Sequence, residues 1–158
     1  METSGFLHGG FLHLFVNMYV LFMFGGSVEL ELGTTGYLLV YFAALLGGNA
    51  WALLENKNKI SYRALGASGA TSGIVMSFIL FRPFEQLIIF PIPFFMPAVL
   101  IVILFLVGSA SLAQRENKTI GHEAQLGGAL AGIIATILIA PGAFSDFANQ
   151  LAQALGGS

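Results

Sequence analysis

GASGATSG, at residues 66–73, places three glycines, two serines and a threonine in the most apolar part of a very apolar chain. A buried helix would carry leucines at such positions. Polar groups inside a membrane are costly and tend to be functional. The stretch therefore marks the polar start of a short helix and, at the same time, a candidate site.

The composition is that of a membrane protein. Hydrophobic residues make up 56% of the 158 residues and charged residues 9%, whereas about a quarter of the residues in a soluble domain are charged. The formal net charge of −2 argues against nucleic acid as a partner. The absence of cysteine excludes disulfides and thiolate chemistry.

Charged residues divide the chain into five uncharged runs, each long enough for a membrane-crossing helix, which needs about 20 apolar residues. The runs are 3–28, 32–54, 64–81, 86–114 and 124–145. Within them we expect helices at 6–25, 37–54, 67–81, about 97–113 and 123–140. The chain is therefore predicted to be an all-α polytopic membrane protein with five transmembrane helices.

The fourth run and the tail depart from this simple pattern. Pro91, Pro93 and Pro97 make the start of the fourth run irregular, because proline interrupts a helix. The tail, 143–158, is weakly amphipathic, so it either lies at the membrane interface or lacks fixed structure. The predicted organisation is one transmembrane domain, 1–142, followed by this tail.

Two polar side chains share one face of the first predicted helix. His13 and Asn17 are four residues apart, which places them one above the other. They suit either a functional site or interhelical hydrogen bonds that hold the bundle together. His8 lies on a different face and no H-E-x-x-H pattern is present, so no metal site is predicted. Asp146 is the only aspartate, which excludes an aspartyl dyad.

Ser68 opens the short helix between Gly66 and Gly69, which allow other backbone to approach its hydroxyl. Backbone N–H groups at a helix start have no intrahelical partner and can donate to a developing oxyanion. Gly69 and Gly73 also form a GxxxG pattern, which is typical of a close-packing helix face. The stretch fits both a nucleophile and a packing surface.

The last predicted helix carries a second GxxxG pattern. It reads GHEAQLGGALAG over 121–132, with Gly128 and Gly132 four residues apart. Two helices with such faces pack closely, so a side chain on this helix can reach Ser68. Serine chemistry would require a general base there, usually a histidine.

Three segments taken together resemble the rhomboid family of intramembrane serine proteases. They are HGGFLHLFVN at 8–17, GASG at 66–69 and AQLGGALAG at 124–132, and their order and spacing fit the family. The resemblance covers residues 6 to about 142. It implies a rhomboid-like helical bundle in which this chain holds five helices of a six-helix core and lacks the first.

The resemblance also implies roles for individual residues. Ser68 matches the nucleophile, and His13 and Asn17 match the pair that helps the Ser68 N–H to hold the oxyanion. The helix-packing positions are Gly66, Gly69, Gly73, Gly128 and Gly132. The expected partners are transmembrane segments of substrate proteins and the lipid bilayer, with no cofactor and no metal. The expected location is the inner (plasma) membrane of a bacterium.

One position departs from the family pattern, in which the last helix reads A-H-x-G-G with histidine as the base. This chain has AQLGG at 124–128, so Gln125 occupies the base position. A carboxamide does not take up a proton near neutral pH, although it can hydrogen-bond a serine. His122, three residues upstream and about 4.5 Å nearer the membrane surface, is a less direct candidate for the base.

Three functions are therefore open. The first is a rhomboid-type serine endopeptidase that Gln125 impairs, because loss of the base typically costs a serine protease several orders of magnitude in rate. The second is an inactive relative that binds transmembrane helices without cleaving them. The third is a transporter or channel component, against which none of the five runs contains an acidic residue.

Two arguments about membrane orientation disagree. The loops 55–63 and 115–123 hold five of the six Lys and Arg residues, and the positive-inside rule puts that side in the cytoplasm. The rhomboid resemblance implies the reverse, with the side of Ser68 outside the cytoplasm.

Overall fold

The computed structural model describes residues 4–55, 57, 67–89, 92–115 and 120–156. Its elements are α1 (Ser4–Glu55), α2 (Ser68–Phe81), β1 (Gln86–Ile89), β2 (Ile92–Pro97), α3 (Ala98–Arg115), α4 (Ile120–Ile139) and α5 (Gly142–Leu155). The predicted helical bundle is confirmed, and a short β-hairpin precedes α3. Each of the five uncharged runs contains a helix, the first two as parts of α1.

Helix α1 is a hairpin of two arms. Gly33 breaks it with φ 70° and ψ 166°, a backbone conformation that glycine adopts without strain. We call 4–32 the first arm and 34–55 the second arm. The arms fold back on each other, since a Cβ on Gly25 would lie 3.3 Å from the Tyr37 hydroxyl. The first arm extends about two turns beyond its predicted end at Gly25, because the positive φ comes only at Gly33.

Helix α2 is the central helix of the bundle. From Ser68 to Leu80 all of its residues are buried except Met76, which is half-buried. The Phe78 ring lies edge-on to Phe24 of the first arm, with ring centroids 4.9 Å apart. Buried apolar residues of α1, α2 and α3 surround this pair: Val20, Val28, Val40, Ile74, Val75, Ile79, Ala98, Ile101 and Val102. The core therefore encloses the helix that carries Ser68.

Helices α2 and α4 run in the same direction. A Cβ on Gly128 would overlap the backbone of Gly69, and one turn further a Cβ on Gly132 would overlap the backbone of Gly73. Residue numbers rise together along both helices, so the pair is parallel. Parallel packing puts the starts of α2 and α4 at the same end of the bundle.

The first arm of α1 also runs parallel to α2. Phe24 contacts Phe78, and further along both helices Arg82 donates hydrogen bonds of 2.8 and 3.1 Å to Glu31. Arg82 also donates a 3.2 Å hydrogen bond to Glu85. The hydrogen bond to Glu31 and, as the second largest cause, the hydrogen bond to Glu85 raise the pKa of the Arg82 guanidinium above its ordinary value. These charged side chains mark what we call the Arg82 end of the bundle.

A β-hairpin occupies most of the proline-containing stretch that the sequence predicts to be irregular. Its strands pair antiparallel, with Gln86 opposite Pro97 and Leu87 opposite Met96. Leu87 and Met96 pack against the core. Proline interrupts a helix, but it is tolerated at the edges of a sheet, and both strands of a two-stranded ribbon are edges. The stretch therefore forms strands before the helix resumes at Ala98.

The chain bends sharply between α4 and α5. The two helices meet at 108°, next to Pro141, which lacks the amide hydrogen that a continuing helix would use. Ala143 is buried, and Gln150 Nε2 donates a 2.9 Å hydrogen bond to Phe81 O, at the Arg82 end. Within the described part of the tail, α5 is thus an ordered helix that packs against the bundle.

Among the described residues, the helical stretch 14–55, which contains both arms of α1, is long and apolar enough for a membrane span, and α4 with α5 passes the same test as a bent pair. Helix α2 and residues 98–107 are shorter apolar helices. The outside of α1 is strongly apolar, with exposed side chains at Leu14, Phe15, Met18, Phe22, Leu39, Phe42 and Leu46. Such a surface suits lipid better than water.

Candidate active site

Ser68 is the first residue of α2 and is only 3% exposed. The first helical hydrogen bond runs from the Thr71 N–H to Ala67 O, at 2.9 Å. The amides before Thr71, including that of Ser68, belong to the first turn, where a helix offers no acceptor for them. A buried serine hydroxyl therefore stands among backbone N–H groups of the kind that stabilise an oxyanion.

Two further hydroxyls follow Ser68 within its first turn and a half. Thr71 Oγ1 donates to Ala67 O at 3.0 Å. Ser72 lies four residues after Ser68, on the same face of the helix, and it is fully buried. Among the described residues, the Ser72 hydroxyl has no hydrogen-bond partner. The Ser68 face of α2 is therefore polar although the helix is enclosed.

Glycines from three helices meet beside Ser68. Gly69 of α2 contacts Gly128 of α4, where no side chain would fit between the two backbones. On the second arm, a Cβ at Gly48 would lie 3.2 Å from Gly69 Cα and 3.3 Å from Gly128 N. Small residues at such a point allow backbones to approach closely. Three separate parts of the chain thus come into backbone contact at the first turn of α2.

The close contact between α2 and α4 continues for two more turns. Beyond Gly73 and Gly132, the Ser77 and Thr136 hydroxyls are 2.9 Å apart, and both residues are fully buried. Thr136 Oγ1 donates to Gly132 O at 2.7 Å. Because a hydroxyl carries one hydrogen, Ser77 is then the donor to Thr136. We call the three contacts Gly69–Gly128, Gly73–Gly132 and Ser77–Thr136 the glycine seam.

The glycine seam brings Gln125 to the level of Ser68. Gly69 is level with Gly128 and the helices are parallel, so Ser68 is level with residue 127. Gln125 lies two residues, or about 3 Å along the axis, before that level, and it is 3% exposed. It shares the face of Gly128, three residues later. The structure therefore places both residues, buried, at one end of the bundle.

Asn17 lies within about one helical turn of the height of Ser68, by the Phe24–Phe78 contact and by the ion pair of Glu31 with Arg82. Glu31 of the first arm forms an ion pair with Arg82 at the end of α2. Asn17 lies 14 residues before Glu31, and Ser68 lies 14 residues before Arg82. The distance is about 21 Å along each of two parallel helices. Asn17 is 4% exposed. Asn17, Ser68 and Gln125 thus form a buried polar level, which we call the Ser68 end of the bundle.

These three side chains offer hydrogen bonds but no base. The carboxamides of Asn17 and Gln125 both donate and accept hydrogen bonds, and neither takes up a proton near neutral pH. The Ser68 hydroxyl needs a base to become a strong nucleophile. Within the described part of the chain, no group of three His, Cys, Asp or Glu residues could hold a metal ion. The arrangement can therefore bind and polarise a carbonyl, and deprotonation of Ser68 has to come from elsewhere.

Four residues singled out in the sequence fall outside this geometry. Gly66 is not among the described residues, and neither are the side chains of His8, His13 and His122. The packing role of Gly66 and the oxyanion role of His13 stay predictions. The same holds for His122 as a substitute base.

Sequence reasoning missed several residues that build the seam and its surroundings. Gly47 and Gly127 pack against each other, with a Cβ on Gly127 only 3.0 Å from Gly47 O, and Gly48 joins the glycine contact at Ser68. A signal existed, because Gly47 and Gly48 form a glycine pair inside a predicted span. Ser77 and Thr136 extend the two GxxxG patterns by one further step of four.

Comparisons with known proteins give a consistent set of relatives. The family model of the rhomboid domain matches residues 1–142. RHOMBOID-like protein 12, mitochondrial, of Arabidopsis thaliana is 33% identical over 90% of this chain and 46% of its own length. Rhomboid protein 1, mitochondrial, of Saccharomyces cerevisiae is 28% identical over 83% of this chain and 39% of its own length.

A bacterial relative is similar over a shorter region. Putative rhomboid protease YdcA of Bacillus subtilis is 35% identical over 51% of this chain and 41% of its own length. No solved structure matches the chain. The chain spans less than half the length of each of these three relatives.

Proposed function

The chain belongs to the rhomboid family of integral membrane proteins, and from this premise we propose that it is a rhomboid-type intramembrane serine endopeptidase impaired at its general base. Ser68 is the proposed nucleophile, and Gln125 stands where the base is expected. The observation that supports this best is the glycine seam, which aligns buried Ser68 with buried Gln125. The chain spans less than half the length of the Arabidopsis and yeast relatives. Protease activity, which is a property of a whole protein, is therefore proposed for this chain.

In the proposed reaction, Ser68 Oγ attacks the carbonyl carbon of the scissile peptide bond. The carbonyl oxygen becomes negative and accepts hydrogen bonds from the Ser68 N–H, His13 and Asn17. The position of Ser68 in the first turn of α2 and the height of Asn17 both support this role. A single oxyanion donor typically contributes about 2.7–4 kcal/mol to such a transition state.

The proton of Ser68 is the weak point of the mechanism. It has to leave Oγ as the bond to carbon forms, and the Gln125 carboxamide cannot accept it. Gln125 can hydrogen-bond the hydroxyl and keep the shape of the site. We therefore expect a rate lower by roughly four or more orders of magnitude than with histidine at this position.

The proposed substrates are transmembrane segments of other membrane proteins. The polar level of Asn17, Ser68 and Gln125 is enclosed by apolar helices whose outer faces suit lipid, so a substrate would reach it from the bilayer. A peptide carbonyl within a helix is already hydrogen-bonded, which means that the cleaved stretch has to unwind. Small or helix-breaking residues near the top of the substrate helix would make unwinding easier.

The test is cleavage of a generic transmembrane substrate in detergent by four matched proteins. They are the chain itself, Gln125→His, Ser68→Ala and the double variant Ser68→Ala/Gln125→His. We expect strong cleavage by Gln125→His alone and little or none by the chain itself. Cleavage by Gln125→His should also rise with pH through roughly 6.5, where an unperturbed imidazole loses its proton.

Labelling with a fluorophosphonate separates a defective base from a defective nucleophile. We expect Gln125→His to take up the label and both variants with Ser68→Ala to refuse it. If Gln125→His is folded but neither cleaves nor reacts, the proposal is wrong. If the chain itself cleaves and Ser68→Ala does not, the account of Gln125 is wrong, and His122→Ala becomes the next variant.

Gln125 favours a second function, that of an inactive relative that binds transmembrane helices. The same buried polar level would then hold an unwound segment by hydrogen bonds without cleaving it. Energy transfer between a labelled transmembrane peptide and the reconstituted chain measures such binding. This function predicts saturable binding in Ser68→Ala as well as in the chain itself, and a measurable cleavage that Ser68→Ala abolishes would exclude it.

Membership of the rhomboid family indicates an integral membrane protein. Which membrane holds the protein is a separate proposal. The predicted bacterial plasma membrane draws support from the Bacillus subtilis relative, whereas the Arabidopsis and yeast relatives carry mitochondrial names. We keep the bacterial plasma membrane as a proposal. Fractionation of the source cells with an antibody to the chain tests it directly.

A further inference from the structure

Helix α5 presents three different faces. At about 100° per residue, Ala143, Phe147 and Gln150 fall on one face, and this face packs on the bundle: Ala143 is buried, Phe147 contacts the core, and Gln150 Nε2 bonds to Phe81 O. The other two faces are exposed. One exposed face is apolar and the other is polar. The contact with the bundle therefore leaves an apolar face of α5 uncovered.

The exposed apolar face, which we call the apolar edge, consists of Phe144, Ala148, Leu151 and Leu155. Phe144 is 57% exposed, Leu151 37% and Leu155 80%. The polar edge lies on the opposite side and consists of Ser145, Asp146, Asn149 and Gln153, all exposed. Asp146 is the only charged residue of α5, and it stands on the polar edge.

The direction of α5 relates these faces to the membrane. Helix α4 carries a line of exposed apolar side chains four residues apart: Leu126, Leu130, Ile134 and Leu138. In an integral membrane protein such a line faces lipid, which makes α4 a helix that crosses the bilayer. For an α4 that runs along the membrane normal, the bend of 108° puts α5 within about 20° of the membrane plane. After the bend, exposed apolar positions continue from Leu138 to Phe144.

We propose that α5 lies in the interfacial layer of the membrane, with its apolar edge in lipid and its polar edge in water. A helix in the membrane plane with an apolar side and a polar side is the arrangement that interfacial helices adopt. The lipid occupant follows from continuity with the lipid-facing line on α4. The proposal does not depend on whether Ser68 is active.

This position also ties the membrane surface to the serine helix. Gln150 donates a hydrogen bond to Phe81 O, the last carbonyl of α2. The interfacial helix α5 is therefore bonded to the end of the helix that carries Ser68. Helix α2 spans 14 residues, or about 21 Å. The depth of Ser68 in the bilayer is therefore set from the interface by a helix of nearly fixed length.

The absence of cysteine from the chain allows single spin labels to test the proposal. The variants are Ala148→Cys and Leu151→Cys on the apolar edge, with Asn149→Cys on the polar edge as the matched control. Each labelled protein is reconstituted in phosphatidylcholine vesicles. Power saturation then measures access of molecular oxygen, which concentrates in lipid, and of a water-soluble nickel chelate.

We expect oxygen to be favoured over the nickel chelate at residues 148 and 151 by several-fold relative to residue 149. Greater nickel access on the apolar edge than at Asn149→Cys would overturn the proposal, because the edge would then face water. Protection of the apolar edge from both reagents would overturn it as well, in favour of a protein partner or a second copy of the chain. Ala148→Cys is the mildest change, so the test does not depend on a large substitution.

Discussion

At the scale of single residues, the hydroxyls of α2 differ in what they bond. Thr71 donates to Ala67 O, and Ser77 bonds to Thr136 across the glycine seam. Ser72 is just as buried, yet its hydroxyl has no partner among the described residues. A buried hydroxyl without a hydrogen bond costs free energy. Two serines on one helix should therefore contribute to stability with opposite sign.

We expect Ser72→Ala to raise the free energy of unfolding by up to about 1 kcal/mol, because it removes an unsatisfied hydroxyl. Ser77→Ala should lower it by about 0.6 kcal/mol, and by no more than about 1.7 kcal/mol, the range for hydrogen bonds between membrane helices. Unfolding of the purified proteins in a titration with a denaturing detergent measures both. A larger loss in Ser72→Ala than in Ser77→Ala would show that Ser72 has a bonded partner.

At this scale the sequence alone could identify Ser68 and Gln125 as unusual, because polar side chains stand out in apolar runs. It could not show whether their side chains are buried together. That depends on the register of α2 against α4, which a difference of one residue would rotate by about 100°. Three small contacts at intervals of four residues set that register in the structure.

At the scale of helices, the glycine seam lets α2 and α4 approach to backbone contact. Its consequence is steric, since a Cβ on Gly128 would overlap the Gly69 backbone. Backbone cannot rotate out of the way as a flexible side chain can. By contrast, Gly26 on the first arm has open space where its Cβ would be. The two glycines make a matched pair for substitution by alanine.

We expect Gly128→Ala to lower the free energy of unfolding by at least about 3 kcal/mol, at the upper end of the cost of overpacking. Gly26→Ala should raise it by about 0.5–1 kcal/mol, because alanine favours the helix and meets no neighbour. The same detergent titration compares the two variants. Equal effects would mean that α2 and α4 do not touch at Gly69.

Prediction of the helices from the sequence depended on two simple quantities, the length of the uncharged runs and the positions of proline. The sequence predicts that the first helix ends at Gly25, within the uncharged run 3–28, whereas the turn comes at Gly33, where φ is positive. Strands β1 and β2 fall in the stretch that the sequence predicts to be irregular, because proline shows where a helix is interrupted and not that a strand forms there. The pairing of Leu87 with Met96 is a tertiary fact.

At the scale of the whole molecule, the bundle has two unlike ends about 21 Å apart along α2. The Ser68 end is a buried polar level, whereas the Arg82 end carries exposed ion pairs, the β-hairpin and α5. Exposed ion pairs contribute little to stability. Helix α5 is joined to this end by buried Ala143, by Phe147 against the core, and by the hydrogen bond from Gln150 to Phe81 O, which is the polar contact of the three.

We expect Gln150→Ala to lower the free energy of unfolding by about 1 kcal/mol, because the last carbonyl of α2 loses its donor. Gln153→Ala is the matched control, since Gln153 is a glutamine on the exposed polar edge of the same helix, and its effect should stay within about 0.5 kcal/mol. Limited proteolysis between α4 and α5 gives a second reading. Faster cleavage in Gln153→Ala than in Gln150→Ala would show that Gln150 is not the glutamine that joins α5 to the bundle.

Helix α4, one of the helices that pack around α2, is synthesised later than α2. Gly69 and its contact Gly128 are 59 residues apart, which at about 5–20 residues per second is a delay of roughly 3–12 s in synthesis. During that delay Gly73 and Ser77 lack the surface of α4 against which they pack, and hydrocarbon offers the Ser77 hydroxyl no partner in place of Thr136. The packing of α2 is therefore completed only after α4 has been synthesised.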